Sequence, residues 1–189
     1  AALVAAVEEL GKVAHVLRIA GFHGRDDGYY RDRFGATIWA IEGQPYKRKL
    51  DAKAPPKNYL EPDHWVKAMD EIPVPAGTLI VVNSTPPEGL IHIDLEGGIM
   101  IAGDALQNLA APDQFTNWGA RIMMRLMGFF KPHNVGPGWL KFGAPPRTEV
   151  TGLLEYEFEH VLVGHGDPVI GGAKAKFTPA LSGALKGAR

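Results

Sequence analysis

The sequence contains no cysteine among its 189 residues, which excludes disulfide bonds and zinc sites built on thiolates. It also lacks an excess of either charge, with 20 Lys and Arg against 21 Asp and Glu, so we expect no nucleic-acid partner. No apolar run approaches the roughly 20 residues that a transmembrane helix requires. Any metal site must therefore use histidine and carboxylate ligands, and the partner we expect is a small molecule.

The size and composition predict one domain over residues 1–189. Hydrophobic residues make up 46 % of the chain, and a chain of this length can bury roughly 70 % of its unfolded surface without disulfides. The first eleven residues include glutamate and have no basic flank, which argues against a signal peptide. Because the sequence does not begin with Met, we expect a longer or processed chain. The absence of cysteine favours a cytoplasmic location.

Hydrophobic patterning predicts an α/β chain of alternating strands and helices. The predicted strands are 13–19, 36–41, 79–82, 90–95, 99–102 and 161–163. The predicted helices are 3–10, 29–34, 117–130, 148–156 and 172–186, with Thr148 as the cap of the fourth. The stretch between 42 and 75 is predicted to be a long surface connection, and 132–146 is predicted to be a Pro/Gly-rich loop.

The apolar strand at 99–102 is the most informative stretch of the chain. Glycines precede it, and Gly103 then presents Asp104 beyond its end. Because α/β folds place their chemistry at the carboxyl ends of strands, Asp104 is a candidate catalytic residue. Alternatively, the Asp104 carboxylate caps the turn that follows.

Three segments in order resemble the metallo-β-lactamase-fold superfamily. They are the loop at 23–27 (His-Gly-Arg-Asp-Asp), the hairpin at 90–104, and the motif at 164–168 (Gly-His-Gly-Asp-Pro). In that family the equivalent segments are a His-rich metal loop, a strand carrying a bridging Asp, and a late Gly-His-Gly motif. The resemblance implies an αββα sandwich that is N-terminally incomplete, because the family's opening strands are absent from the sequence.

The resemblance also implies metal ligands, with several family positions changed. The family loop reads His-x-His-x-Asp-His, of which this chain keeps the second His as His23, with Arg25 at the Asp position and Asp26 at the last His. The histidine expected before the hairpin falls within 84–89, where the sequence has none. The implied metal ligands are His23, Asp26, Asp104 and His165, of which Asp104 and His165 are the candidate catalytic residues.

Two functions follow from this reduced ligand set. In the first, His23, Asp26 or Asp27, Asp104 and His165 hold one divalent zinc, manganese or iron ion, and the chain is a metal-dependent hydrolase. A metal ion would then activate water for attack on the substrate.

The second function is a non-catalytic role without metal. A guanidinium cannot coordinate a metal, so Arg25 could pair with Asp26 or Asp104 and take the place of the cation. Arg25 and Asp27 would then bind a small anionic molecule, or the surface would bind a protein partner. Because Arg25 stands at a ligand position, we expect a vestigial site without metal in preference to a one-metal site.

The helix predicted at 117–130 has a wide apolar stripe with Arg121 and Arg125 opposite. The stripe consists of Trp118, Ile122, Met123, Leu126, Met127 and Phe130. We expect this stripe to pack on the core. The alternatives are a lid or a homo-oligomer interface, since methionine and aromatic side chains suit adaptable contacts. Contact with a membrane surface is a further alternative.

Overall fold

The computed structural model describes residues 2–44, 60–114 and 116–183. Within these ranges the chain forms ten strands and five α-helices. The strands are β1 His15–Arg18, β2 Thr37–Ile41, β3 His64–Val66, β4 Gly77–Val82, β5 Glu88–Ile93, β6 Ile99–Ala102, β7 Leu106–Leu109, β8 Lys131–Val135, β9 His160–Val163 and β10 Val169–Ile170. The helices are α1 Ala2–Glu9, α2 Asp27–Phe34, α3 Trp118–Leu126, α4 Arg147–Gly152 and α5 Ala173–Gly183.

The strands form three sheets. Strands β1, β2 and β3 make a parallel sheet, and β7 pairs with β8 in a small antiparallel one. The five-stranded sheet has the order β10-β9-β6-β5-β4 and is antiparallel except where β6 meets β9. Because Ala102 lies opposite Val163 in this parallel pair, the segments that follow β6 and β9 leave the sheet at the same edge.

The five-stranded sheet is buried on both faces. On one face Ile91 packs with Ile41 of the three-stranded sheet. On the other face Leu90, the preceding residue of β5, packs in a second cluster with Phe177 and Leu181 of α5. Since successive strand residues point to opposite faces, the three-stranded sheet lies against one face of the five-stranded sheet and a helical layer lies against the other. Helix α2 packs against β1 and β2, which completes the αββα layering.

The segment 132–146, predicted to be a loop, is instead partly ordered structure. It contains most of β8 and a single π-helical turn at Trp139–Gly143. Neither β8 nor its partner β7 shows alternating hydrophobicity in the sequence. The two short strands are held by pairing with each other and not by a buried apolar stripe. The loop prediction was therefore wrong at these positions.

Other element boundaries also differ from the predictions. Helix α4 begins after Pro146, so Thr148 lies in its first turn and does not cap it. Helix α3 ends at Leu126, four residues earlier than predicted. The connection predicted between 42 and 75 includes β3, and its residues 45–59 lie outside the described ranges, as do residues 184–186 of the last predicted helix. Each described helix is too short or too polar to cross a bilayer.

Candidate metal centre

Three side chains that are distant in sequence meet beyond the ends of three strands. His23 follows β1, Asp104 follows β6, and His165 follows β9. Asp104 Oδ1 lies 3.0 Å from His165 Nε2 and 3.3 Å from His23 Nε2. One nitrogen or oxygen donor atom of each residue lies within 4.8 Å of the other two. These residues, called the His–Asp–His group below, are the candidate metal ligands that the described part of the chain brings together.

The spacing and surroundings of the His–Asp–His group fit a metal ion. Ligand bonds of about 2.0–2.2 Å place neighbouring donors roughly 2.8–3.6 Å apart in an octahedral or tetrahedral site, which includes both measured distances. The same distances also suit hydrogen bonds when no ion is bound. Within the described residues, however, Asp104 Oδ2 is buried and has no hydrogen-bond partner, so one carboxylate oxygen remains available to a cation.

The charge of Asp104 suits this role. Burial alone would raise the pKa of Asp104, but the hydrogen bonds from His165 and His23 outweigh burial and hold that pKa well below its usual range. The carboxylate therefore stays ionised at all ordinary pH values. The side chains of His23 and His165 are 54 % and 43 % exposed, so the group opens to solvent on the imidazole side.

A buried carboxyl that the sequence did not predict lies beneath this group. Glu88 is fully buried, and its carboxyl accepts hydrogen bonds from the backbone N–H of Gly21 at 2.9 Å and of Asp104 at 2.6 Å. Burial and the nearby charge of Asp104 raise the pKa of Glu88 to about 7, against the opposing effect of these hydrogen bonds. Glu88 thus joins the loop that carries His23 to the loop that carries Asp104.

No local pattern distinguishes Glu88 in the sequence. It lies in a turn-rich segment at 83–89, where a glutamate is typical of an exposed loop. In the structure it begins β5, and the strand points its side chain between two loops. Only the meeting of these loops in three dimensions makes the residue important.

Two glycines allow the strand ends to approach each other closely. A Cβ on Gly103 would lie 2.5 Å from the Ala20 Cβ and 2.8 Å from Glu88 Oε1. Gly166 has a φ of +97°, and a Cβ there would lie 2.0 Å from the backbone oxygen of Asn108. A larger residue at Gly103 would push the Asp104 loop away from Ala20, and one at Gly166 would push the His165 loop away from Asn108.

The remaining predicted site residues lie around the start of α2. Asp26 is exposed at the N-cap of α2, outside the His–Asp–His group. Asp27 is buried, and its carboxylate pairs with the buried Arg18 at 3.4 Å. Burial raises the pKa of Asp27, while Arg18 acts to lower it. Arg25 is exposed. The imidazoles of His23 and His165 contact Asp104 Oδ1 at the distances given above.

The segment 84–89, within which the family resemblance implied a further histidine, begins with a buried serine. Ser84 Oγ donates to the backbone oxygen of Pro86 at 2.8 Å and accepts a 2.9 Å hydrogen bond from Trp139 Nε1. The indole of Trp139 is 2 % exposed. Ser84 is therefore engaged in a packed polar contact with Pro86 and Trp139.

A cavity of about 340 Å³ opens beside the His–Asp–His group. Its walls are mainly aromatic, with Phe22, Phe129, Trp139 and Phe142 around the three ligand side chains. Gly136 and Gly138 also line the cavity, and the Phe142 side chain is 62 % exposed at the surface. The cavity thus combines a polar group with apolar walls, as small-molecule sites commonly do.

Solved structures of metalloproteins are similar to this chain in fold. The peroxy diiron species of the chemotaxis sensor ODP aligns with 96 % of this chain and 76 % of its own, at a TM-score of 0.55 and 14 % identity. The DIM-1 metallo-β-lactamase exposed to ceftazidime aligns with 97 % of this chain and 74 % of its own, at a TM-score of 0.49 and 12 % identity. Neither a protein-family model nor a curated protein sequence matches the chain.

The alignment with the ODP structure at a TM-score above 0.5, taken with the αββα layering, shows that the chain has the αββα fold that the sequence predicted. At this level of identity the likeness concerns the fold alone. The chemistry of this chain has to be argued from its own residues.

Proposed function

We propose that the protein is a hydrolase that uses a single divalent metal ion held by the His–Asp–His group. The observation that carries this proposal is the convergence of three donor atoms, one of them on a carboxylate with an unpartnered buried oxygen, at an aromatic-lined cavity. Three protein ligands with an open position are the usual arrangement of a catalytic zinc site. Two imidazoles and a carboxylate also suit iron or manganese.

The ligand residues would be His23, Asp104 and His165. A bound ion would supply a water of lowered pKa and would polarise the bond to be cleaved. Asp104 contributes a full negative charge, because its pKa is held low. Glu88 fixes the backbone on which Asp104 is presented, and it does so without entering the cavity.

The walls of the cavity favour a substrate with an apolar group next to the hydrolysed bond. Apart from the His–Asp–His group, the residues that line it are aromatic or glycine, with Gln107 as an exception. The Gln107 amide is itself engaged, since its nitrogen donates to the backbone oxygen of Phe129 at 3.0 Å. We therefore expect aromatic or aliphatic esters to fit better than charged or highly polar substrates.

The alternative of a metal-free site that binds an anion through Arg25 has less support. The contacts to Asp104 Oδ1 come from His23 and His165, and Arg25 is not among the residues that line the cavity. The anion site at Arg25 and Asp27 stays a prediction from the sequence.

Elemental analysis tests the proposal. The protein is stripped with a chelator, incubated separately with zinc, manganese or ferrous iron, and freed of excess metal before measurement. We expect about one ion per chain, lost in Asp104→Ala and in His165→Ala. His64→Ala is the matched control, since this exposed histidine lies in β3 and stacks on Trp39.

The loaded protein is then assayed on aromatic esters and on phosphodiesters. Turnover that disappears with the metal in both site variants supports the hydrolase. A protein that binds no ion under any of these conditions refutes the metal site. Stoichiometric metal without turnover on either substrate class contradicts the hydrolytic function while leaving the metal site in place.

A further inference from the structure

Helix α3 is well formed but presents its most hydrophobic face to solvent. The side chain of Asn117 accepts a hydrogen bond from the backbone N–H of Ala120, which is a regular N-cap. Yet Trp118 and Leu126 are 79 % and 84 % exposed, and Ile122 and Met123 are more than half exposed. No residue of α3, a helix described over its full length, is fully buried. The expectation that this stripe packs on the core is wrong.

The less exposed residues of the helix lie on a different face. Ala120, Met124 and the following Met127 are half-buried. Trp118, Ile122 and Leu126 recur every four residues and so form a separate stripe on the outside of the helix. Such a stripe is unusual on a surface in contact only with water, since exposed apolar side chains that cluster mark interaction sites.

The segment that carries this stripe is basic, and the exposed Asp113 directly precedes it. Residues 114–148 contain no Asp or Glu, and their five Lys and Arg are Arg121, Arg125, Lys131, Lys141 and Arg147. Arg121 and Arg125 line one shallow groove with Trp118, Ile122 and Phe130. The Arg121 guanidinium donates to the backbone oxygens of Thr116 and Asp113, which holds it beside the helix. A partner for this surface must therefore be apolar in part and negatively charged.

We propose that α3 and the Phe129–Phe130 turn dock onto a bilayer surface that contains anionic phospholipids. Trp, Ile and Leu would enter the headgroup boundary, while Arg121 and Arg125 would contact lipid phosphates. This combination of an apolar stripe with basic residues beside it is typical of helices that lie in the membrane interface. The proposal does not depend on metal binding or on hydrolysis.

A second copy of the chain fits this surface less well. A two-fold interface through α3 would place Arg121 and Arg125 of both copies close together, and Asp113, just before the acid-free segment, supplies one carboxylate per copy against these two arginines. A standard interface also takes about 20–30 residues from each partner, whereas this face presents four strongly exposed apolar side chains. An anionic bilayer supplies the negative charge that Arg121 and Arg125 require. It also needs no complementary protein surface of about 20–30 residues.

The docking surface adjoins the cavity. Phe130 lines the groove of α3, and the preceding residue Phe129 lines the cavity beside the His–Asp–His group. Consecutive Cα atoms lie 3.8 Å apart, so the bilayer would lie next to the cavity mouth. Lys141 and the exposed Phe142 at this mouth add a second pair of basic and apolar side chains.

Vesicle flotation tests the proposal with the whole chain. The probes are vesicles of phosphatidylcholine alone and of phosphatidylcholine mixed with phosphatidylglycerol. We expect binding to the mixed vesicles, little binding to neutral ones, and weakening by salt. Arg121→Gln with Arg125→Gln should weaken binding about 30-fold, the factor expected for two basic residues at an anionic surface. Trp118→Ser with Leu126→Ser should weaken it at least as much.

The matched control is Ile170→Ser, which removes a 65 % exposed apolar side chain from β10 and should leave binding unchanged. Circular dichroism checks that each variant is folded. Absence of binding to mixed vesicles, or binding that neither double variant changes, overturns the proposal. A dimer in analytical ultracentrifugation that Trp118→Ser with Leu126→Ser abolishes, without any vesicle binding, identifies a second copy as the occupant and also overturns it.

Discussion

Replacing Glu88 with glutamine removes a buried ionisable group that joins two loops of the candidate metal centre. The carboxyl of Glu88 is fully buried and accepts hydrogen bonds from the backbone N–H groups of Gly21 and Asp104. Glutamine keeps the size of the side chain but can offer a single oxygen. One backbone N–H group then faces the amide nitrogen, which should cost about 1–3 kcal/mol of stability below pH 4.5, where the carboxyl of the natural protein is protonated.

The effect that identifies Glu88 is the dependence on pH. The pKa of Glu88 is about 7 in the folded protein against an ordinary value of 4.5. Below pH 4.5 the carboxyl is protonated in both states, so its ionisation does not affect stability. Between these values the native state retains a proton that the unfolded chain has released, so the free energy of unfolding decreases as pH rises. At 1.36 kcal/mol per pKa unit, the total loss is about 3 kcal/mol, and it is complete above the folded pKa.

Urea denaturation in the presence of a chelator, at several pH values between 4.5 and 7, measures this loss. The stability advantage of the natural protein over Glu88→Gln should shrink by about 3 kcal/mol across this range. Glu9→Gln, at the exposed end of α1, is the control and should follow the natural protein throughout. Parallel curves for the natural protein and Glu88→Gln would show that burial does not raise the pKa of Glu88, and the reasoning would fail.

Three further substitutions test other contacts of the structure. Asp27→Ala should lower the free energy of unfolding by about 3–5 kcal/mol, because the buried Arg18 loses this carboxylate. Urea denaturation measures the change, and a loss below about 1 kcal/mol would contradict the prediction. Ser84→Ala should cost about 1–3 kcal/mol by removing the acceptor of the buried Trp139 N–H, whereas Ser84→Thr, which keeps a hydroxyl, should cost less. Gly166→Ala should weaken zinc binding in a titration, since its Cβ displaces the loop of the second histidine; Gly171→Ala, at a φ of 82° without a backbone overlap, should leave zinc binding unchanged.

The parts of the fold that the sequence predicts are those encoded by local patterns. The apolar run at 99–102 predicted β6 and the position of Asp104 at its end, and the structure has the strand at Ile99–Ala102. The helix predicted over 29–34 ends at Phe34 in the structure, where Gly35 takes the left-handed conformation that ends α2. These features depend on a few adjacent residues, which makes them readable without a structure.

The features that the sequence does not predict depend on contacts between distant segments. Glu88 is buried where the loops after β1 and β6 meet, and the backbone N–H groups of both loops donate to its carboxyl. Strand β8 exists because β7 pairs with it, and its sequence Lys-Pro-His-Asn-Val has no alternating pattern. The apolar stripe of α3 is equally strong in the sequence whether it faces the core or the solvent. Periodicity identified the helix and could not determine which way it faces.

The exposure of the two imidazoles bears on how the protein would acquire and lose an ion. Roughly half of the side-chain surface of His23 and of His165 is open to solvent, while Asp104 lies below them. An ion at this site could enter and leave without any opening of the fold, so exchange would depend on the strength of the ligand bonds alone. The metal ion found in a purified sample would accordingly depend on the composition of the last buffer used. Identifying the native ion therefore calls for purification without chelators or competing cations.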